Sequence, residues 1–174
     1  MRIERVAGNL TDHYDPRNKV LRLSDATYGQ CSVAAVGVAA HECGHAIQHA
    51  RGYAPLQFRS ALVPVANFGS MIAWPLIVLG LFINSQSSAL LINIGILAFS
   101  LAVLFQLVTL PVEYNASGRA VRILAETGMM QGEEIVATKK VLNAAALTYV
   151  ASAAAAILQL VRILILTGGR RRDD

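Results

Sequence analysis

Two histidines four residues apart, with a glutamate directly after the first, stand in the run His41-Glu42-Cys43-Gly44-His45. On a helix this spacing puts both imidazoles on one face, with Cβ atoms about 6 Å apart. Both can then bind one Zn²⁺, at N–Zn distances of about 2.1 Å. Glu42 falls beside the metal, where it can take a proton from a bound water. A third ligand is required. His49 shares the stripe but lies about 12 Å along the axis from His41, so it is expected at the surface or as an outer partner. The extended pattern with a third histidine after a glycine turn would need one at position 51. That residue is Arg51, so the metzincin pattern is absent. Cys43 lies about 200° around the helix from His41 and is assigned to packing.

The remaining choice is a carboxylate. Glu126, Glu133 and Glu134 sit among other charges and read as solvated. Glu113 is the first charge after an uncharged stretch that begins at Ser60, and it is expected to open the helix that carries Asn115 and Arg119. It is the expected third ligand, with an ordinary interfacial helix cap as the alternative. Two imidazoles and one carboxylate leave a coordination position open for water, the catalytic pattern; structural zinc sites are closed and rich in cysteine. The chemistry implied is peptide-bond hydrolysis by a zinc-activated water, with Glu42 as base and later as proton donor to the leaving amine. Tyr149 and His13 are weaker candidates for stabilising an oxyanion, and each is more simply a packing residue.

These side chains must be positioned by a chain of 174 residues, 55% hydrophobic and 15% charged, with a mean hydropathy of +0.49. Such a composition excludes a disordered or collagen-like chain. Residues 60–112 contain no Asp, Glu, Lys, Arg or His. A spanning helix takes roughly 20 apolar residues, so the stretch holds two, expected at 61–83 and 89–110 with a turn at 84–88. A third apolar helix is expected over 141–166, with Arg162 snorkelling to an interface. The motif helix is expected over 25–50, its small-residue half at 32–40 packing closely on another helix. Residues 11–14 and 19–23 flank Asp15-Pro16-Arg17-Asn18, whose types suit a tight turn, so 1–24 should form a β-hairpin. A polar segment over 113–140 completes a single domain, broken at Gly128 and Gly132. The fold class expected is a mainly α integral membrane protein: a transmembrane helical hairpin, a third apolar helix, a zincin-like motif helix and the short hairpin. Cys31 and Cys43, both placed on the motif helix, would lie about 18 Å apart, too far for a disulfide.

The net charge of +4 does not signal nucleic acid, because the cations flank apolar segments. Arg51, Arg59, Arg119, Arg122, Lys139 and Lys140 border the first two spans and favour a cytoplasmic face. Arg170, Arg171 and Arg172, beyond a third span, oppose that orientation. The expected partners are the lipid bilayer and a peptide or membrane-protein substrate. A non-catalytic metal-binding scaffold or assembly protein is the alternative function, and a transporter-like bundle a weaker one.

The chain resembles the YugP-like neutral zinc metallopeptidases, a bacterial membrane family. The resemblance rests on Leu10-Thr-Asp-His-Tyr-Asp-Pro16, Val38-Ala-Ala-His-Glu-Cys-Gly-His-Ala-Ile-Gln48, Thr109-Leu-Pro-Val-Glu-Tyr-Asn-Ala-Ser117 and Val141-Leu-Asn-Ala-Ala-Ala-Leu-Thr-Tyr-Val-Ala151. It implies zinc at His41 and His45, Glu42 as the catalytic residue, and a multi-pass protein of the bacterial inner membrane. The Glu-Tyr-Asn-Ala stretch is similar to the third-ligand region of HtpX-type membrane proteases, which favours Glu113. Family members usually begin with a hydrophobic anchor; here Met1 stands just ahead of the hairpin, so an N-terminally shortened chain is expected.

Overall fold

A computed structural model of the chain describes residues 1–83 and 87–168. Three strands come first: β1 (Arg2–Val6), β2 (His13–Asp15) and β3 (Val20–Ser24). Four helices follow: α1 (Val33–Ala50), α2 (Ala54–Phe82), α3 (Ser88–Glu126) and α4 (Glu133–Gly168). Two compact units result, each assembled from two chain segments: Met1–Gln57 with Leu110–Thr148, and Phe58–Thr109 with Tyr149–Asp174.

The first unit opens on the sheet, in the order β1-β3-β2. β2 and β3 form the expected antiparallel hairpin, with Asp15 opposite Val20. Its turn is built by the Asp15 carboxylate, which accepts from the backbone N–H groups of Arg17 and Asn18 and from the Asn18 side chain. A correction concerns the residues before it: they are not a lead-in to a two-stranded hairpin but a third strand, β1, paired parallel to β3. Its nearly all-exposed face gives no alternation of apolar and polar residues by which a strand is recognised.

The motif helix also starts later than residue 25. Ser32 caps α1, its hydroxyl accepting from the Ala35 N–H. Asp25 is held instead by Arg5 and the Gly8 N–H, and Gly29 has φ of +74°, incompatible with a right-handed helix. Cys31 therefore lies ahead of the helix rather than on it. Cys31 and Cys43 are both free.

α1, the C-terminal part of α3 and the start of α4 enclose a core of Ala40, Ala120, Leu124, Met130 and Leu142. The expected close approach of the small-residue face of α1 is present: a Cβ on Gly37 would lie 3.1 Å from Thr138 Cγ2. The polar segment is not a separate helical region. α3 runs without a break from Ser88 to Glu126 and so through Pro111, although proline withholds one helical hydrogen bond. Glu113 thus sits inside a long helix rather than at the opening of a new one. α4 likewise joins the polar start at Glu133 to the third apolar stretch. The break between α3 and α4 falls where expected, with positive φ at Gly128 and Gly132.

α2 begins at Ala54, upstream of the expected residue 61, and in the second unit continues through Pro64 and Pro75. Its buried stripe is Ala66, Gly69, Ala73, Ile77 and Gly80, a helical spacing of mostly small residues. A Cβ on Gly69 would meet the Ala98 carbonyl oxygen at 2.8 Å, and one on Gly95 the Ala73 carbonyl oxygen at 2.9 Å. The Ser88 hydroxyl donates to the Gly80 carbonyl. Large apolar side chains point the other way: Phe68, Met71, Trp74, Leu90, Leu97 and Leu158 are all exposed. α2, α3 and α4 are each long and apolar enough to cross a membrane. Most of the turn expected at 84–88, and the Arg170–Arg172 cluster, lie outside the described residues.

Candidate metal centre

Within the first unit α1 presents His41 and His45 one turn apart, and α3 presents Glu113 to them. His41 Nε2 is 3.2 Å from Glu113 Oε2 and 3.1 Å from His45 Nε2. His45 Nε2 lies 3.5 Å from the same carboxylate oxygen. A tetrahedral ion with ligands at 2.0–2.1 Å has ligand–ligand edges of roughly 3.3–3.4 Å, so these separations fit one Zn²⁺. Glu113 is only 2% exposed, and a carboxylate so far from water needs cationic or hydrogen-bonding company. Among the described residues, His41, His45 and Glu113 are the group of three that could hold a metal ion.

The helices reach this distance because Gly44, between the ligands, lacks a side chain. A Cβ there would stand 3.0 Å from the Cα of Ala116 and overlap its carbonyl oxygen. Ala116 lies one residue before Ser117 and about one helical turn after Glu113. Gly44→Ala should therefore push α1 and α3 apart, lowering stability by about 1–3 kcal/mol as overpacking usually does. Thermal unfolding together with zinc titration would show it: both should weaken, and an unaltered zinc affinity would contradict the role given to this contact.

Each imidazole is held from its far side. His41 Nδ1 pairs with Ser117 Oγ at 3.0 Å, and His45 Nδ1 with Gln48 Oε1 at 3.0 Å. Such outer contacts turn the Nε2 atoms inward and set ring orientation. Reading the sequence missed Ser117 and Gln48 as site residues. Helical spacing could have found both: Ser117 is one turn beyond Glu113, and Gln48 three residues beyond His45.

Glu42 is buried, at 8% exposure. Burial pushes its carboxyl above the usual range, against the opposing pull of His45, His41 and the Tyr14 backbone N–H. That shift brings a carboxylate toward the range in which it can both take and return a proton near neutral pH. On His45 burial disfavours the charge, but the hydrogen bond and negative charge of Glu113 outweigh it and raise the imidazole pKa. A proton on His45 competes with zinc, so zinc affinity falls as pH drops. Because the metal-free ring titrates high, the fall should begin above the ordinary imidazole value of about 6.5. Zinc dissociation constants measured across pH should show this; a fall beginning only below that value would contradict it.

His49 is exposed, its Nδ1 paired with the Tyr14 hydroxyl at 2.8 Å, and it is not in the metal-ligating group. Cys43, Glu126, Glu133 and Glu134 are also outside it, and the three glutamates are exposed. His13 lies on β2, its ring bonded to the Thr11 carbonyl. Tyr149 belongs to α4 in the second unit.

A sequence profile described as "Putative neutral zinc metallopeptidase" matches residues 1–168. The chain belongs to this family. It is 47% identical over 169 residues to the "Putative membrane protease YugP" of Bacillus subtilis (strain 168), a match that takes in 97% of this chain and 74% of that protein. No solved structure matches the chain. Zinc is the metal of the family, and the His41, His45 and Glu113 group is suited to hold it.

Proposed function

We propose that this family member is a membrane-bound zinc metalloendopeptidase, with His41, His45 and Glu113 as the metal ligands and Glu42 as the catalytic residue. The observation that carries the reading is the convergence of two Nε2 atoms and a buried carboxylate oxygen at tetrahedral-edge distances, with Glu42 on the same helix. When bound, zinc supplies Lewis acidity toward a water and a peptide carbonyl. Glu42 takes the proton of the attacking water and returns it to the leaving amine. Glu113 supplies negative charge that holds the cation and leaves Glu42 free to exchange its proton. β2 packs on α1 and is an edge of the sheet, where it can align an extended peptide by backbone pairing.

The membrane reading has its own support. The second unit buries small residues and turns large apolar ones outward; lipid tolerates such a surface and water does not. The relative is named a membrane protease. In this reading the chain lies in the bacterial inner membrane as a multi-pass protein. Its site opens to the cytoplasm, and its substrates are peptides or membrane proteins. Detergent-purified chain should cleave a quenched-fluorescence peptide library, lose that activity when zinc is chelated, and recover it on stoichiometric zinc. Cleavage that survives zinc removal would overturn the proposal.

A further inference from the structure

Gln48 is fully buried, at 0% exposure, and its side-chain hydrogen-bond partners His45, Val112 and Asn115 lie within the first unit. Its Nε2 donates to the Val112 carbonyl at 2.8 Å and to Asn115 Oδ1 at 3.0 Å. Its Oε1 faces His45 Nδ1 at 3.0 Å. Amide oxygen and nitrogen are told apart by their partners, and here two partners admit one answer each. The Val112 carbonyl can only accept, so Gln48 must turn its NH₂ toward it. Arg119 Nε–H can only donate, and it reaches Asn115 Oδ1 at 2.7 Å. The Asn115 oxygen therefore faces inward, where it takes the second Gln48 hydrogen. The Arg119 guanidinium is in turn seated over the Tyr53 ring, 5.8 Å from its centre.

Both amides are thus locked, and only the Gln48 oxygen is left for His45. With a metal rather than the Glu113 carboxylate to satisfy Nε2, an oxygen facing Nδ1 requires the ring's one hydrogen on Nδ1. The neutral ring then has its lone pair on Nε2, the atom 3.5 Å from Glu113 Oε2. We propose that Gln48 is a positioning residue: its amide, oriented by Val112 and by the Asn115–Arg119 pair, fixes the His45 tautomer whose Nε2 lone pair faces the metal. The inference rests on the metal site proposed above. It also explains why α3 carries Asn115 and Arg119 beside the ligand: they set a tautomer on the neighbouring helix. Loss of a comparable outer partner typically weakens metal affinity by about 10–100-fold.

Two substitutions separate positioning from packing. Gln48→Met keeps the volume and removes the acceptor. Gln48→Glu keeps an oxygen for the His45 N–H but sets a buried carboxylate against the Val112 carbonyl, which costs stability. The ranking expected for zinc affinity in the full chain is therefore Glu at or near wild type and Met about 10–100-fold weaker. Thermal stability should rank the other way. A second measurement needs no metal: with the competing Glu113 carboxylate removed in Glu113→Ala, ¹⁵N resonances of His45 in the metal-free full chain at alkaline pH should place the proton on Nδ1. A proton on Nε2, or zinc affinities that follow thermal stability with Glu weakest, would overturn the proposal. So would equal zinc affinity of wild type and Gln48→Met, and that result leaves the metal site itself standing. A wild-type chain that takes up no zinc would overturn the metal site and this inference together.

Discussion

Glu42→Gln should abolish peptide cleavage while zinc stays bound. General acid–base catalysis by a positioned side chain is worth about 10²–10⁴-fold in rate, and Glu42 is asked to serve on both sides of the reaction. The amide is nearly the same size, so the buried position on α1 is kept, and it is not among the residues converging on the metal. Glutamine cannot accept a proton near neutral pH. Zinc content and unfolding temperature should therefore remain close to wild type while turnover falls by at least about 100-fold. Retained cleavage in this variant would move the base elsewhere. Loss of zinc would show that Glu42 is a ligand rather than a base.

The second large effect is expected at Glu113. Glu113→Ala removes the one anionic ligand and leaves two imidazoles on a single helix. Zinc affinity should fall by more than the roughly 10–100-fold seen when an outer partner is lost. The structural cost is opposite in kind. In metal-free protein a carboxylate 2% exposed is expensive to bury, so its removal can relieve the apo state even as it destroys the site. Unfolding followed with and without zinc should show a large zinc-dependent stabilisation in wild type that is absent from Glu113→Ala. An equal zinc-dependent shift in both would place the third ligand at another residue.

Much of this site was legible in the sequence because its spacing is helical. The i, i+4 pair needs one regular turn, and His41 and His45 meet on that turn as their positions require. Glu113 could be singled out by its isolation after a long uncharged stretch. Its setting could not: the sequence reads as a span followed by a new helix, whereas α3 continues through Pro111. A single proline costs one hydrogen bond, and the packing of Val112, Ala116 and Ala120, each 0% exposed, keeps the helix together across it.

The start of α1 was hidden for a different reason. Asp25 resembles a helix cap, yet it is taken by Arg5, on a strand that has no apolar alternation to announce it, and by the Gly8 N–H just beyond that strand. Tertiary hydrogen bonds of that kind override local preference. Gln48, Asn115 and Arg119 form a network across two helices, and its existence follows only once Gly44 has let those helices touch.

The metal centre is tested most directly by zinc content together with zinc K-edge absorption on detergent-purified wild-type chain. Close to one zinc per chain is expected. Its nearest shell should hold only nitrogen and oxygen at about 2.0–2.1 Å, with imidazole scattering from two rings. Absence of zinc, or a sulfur neighbour at about 2.3 Å drawn from Cys31 or Cys43, would contradict it.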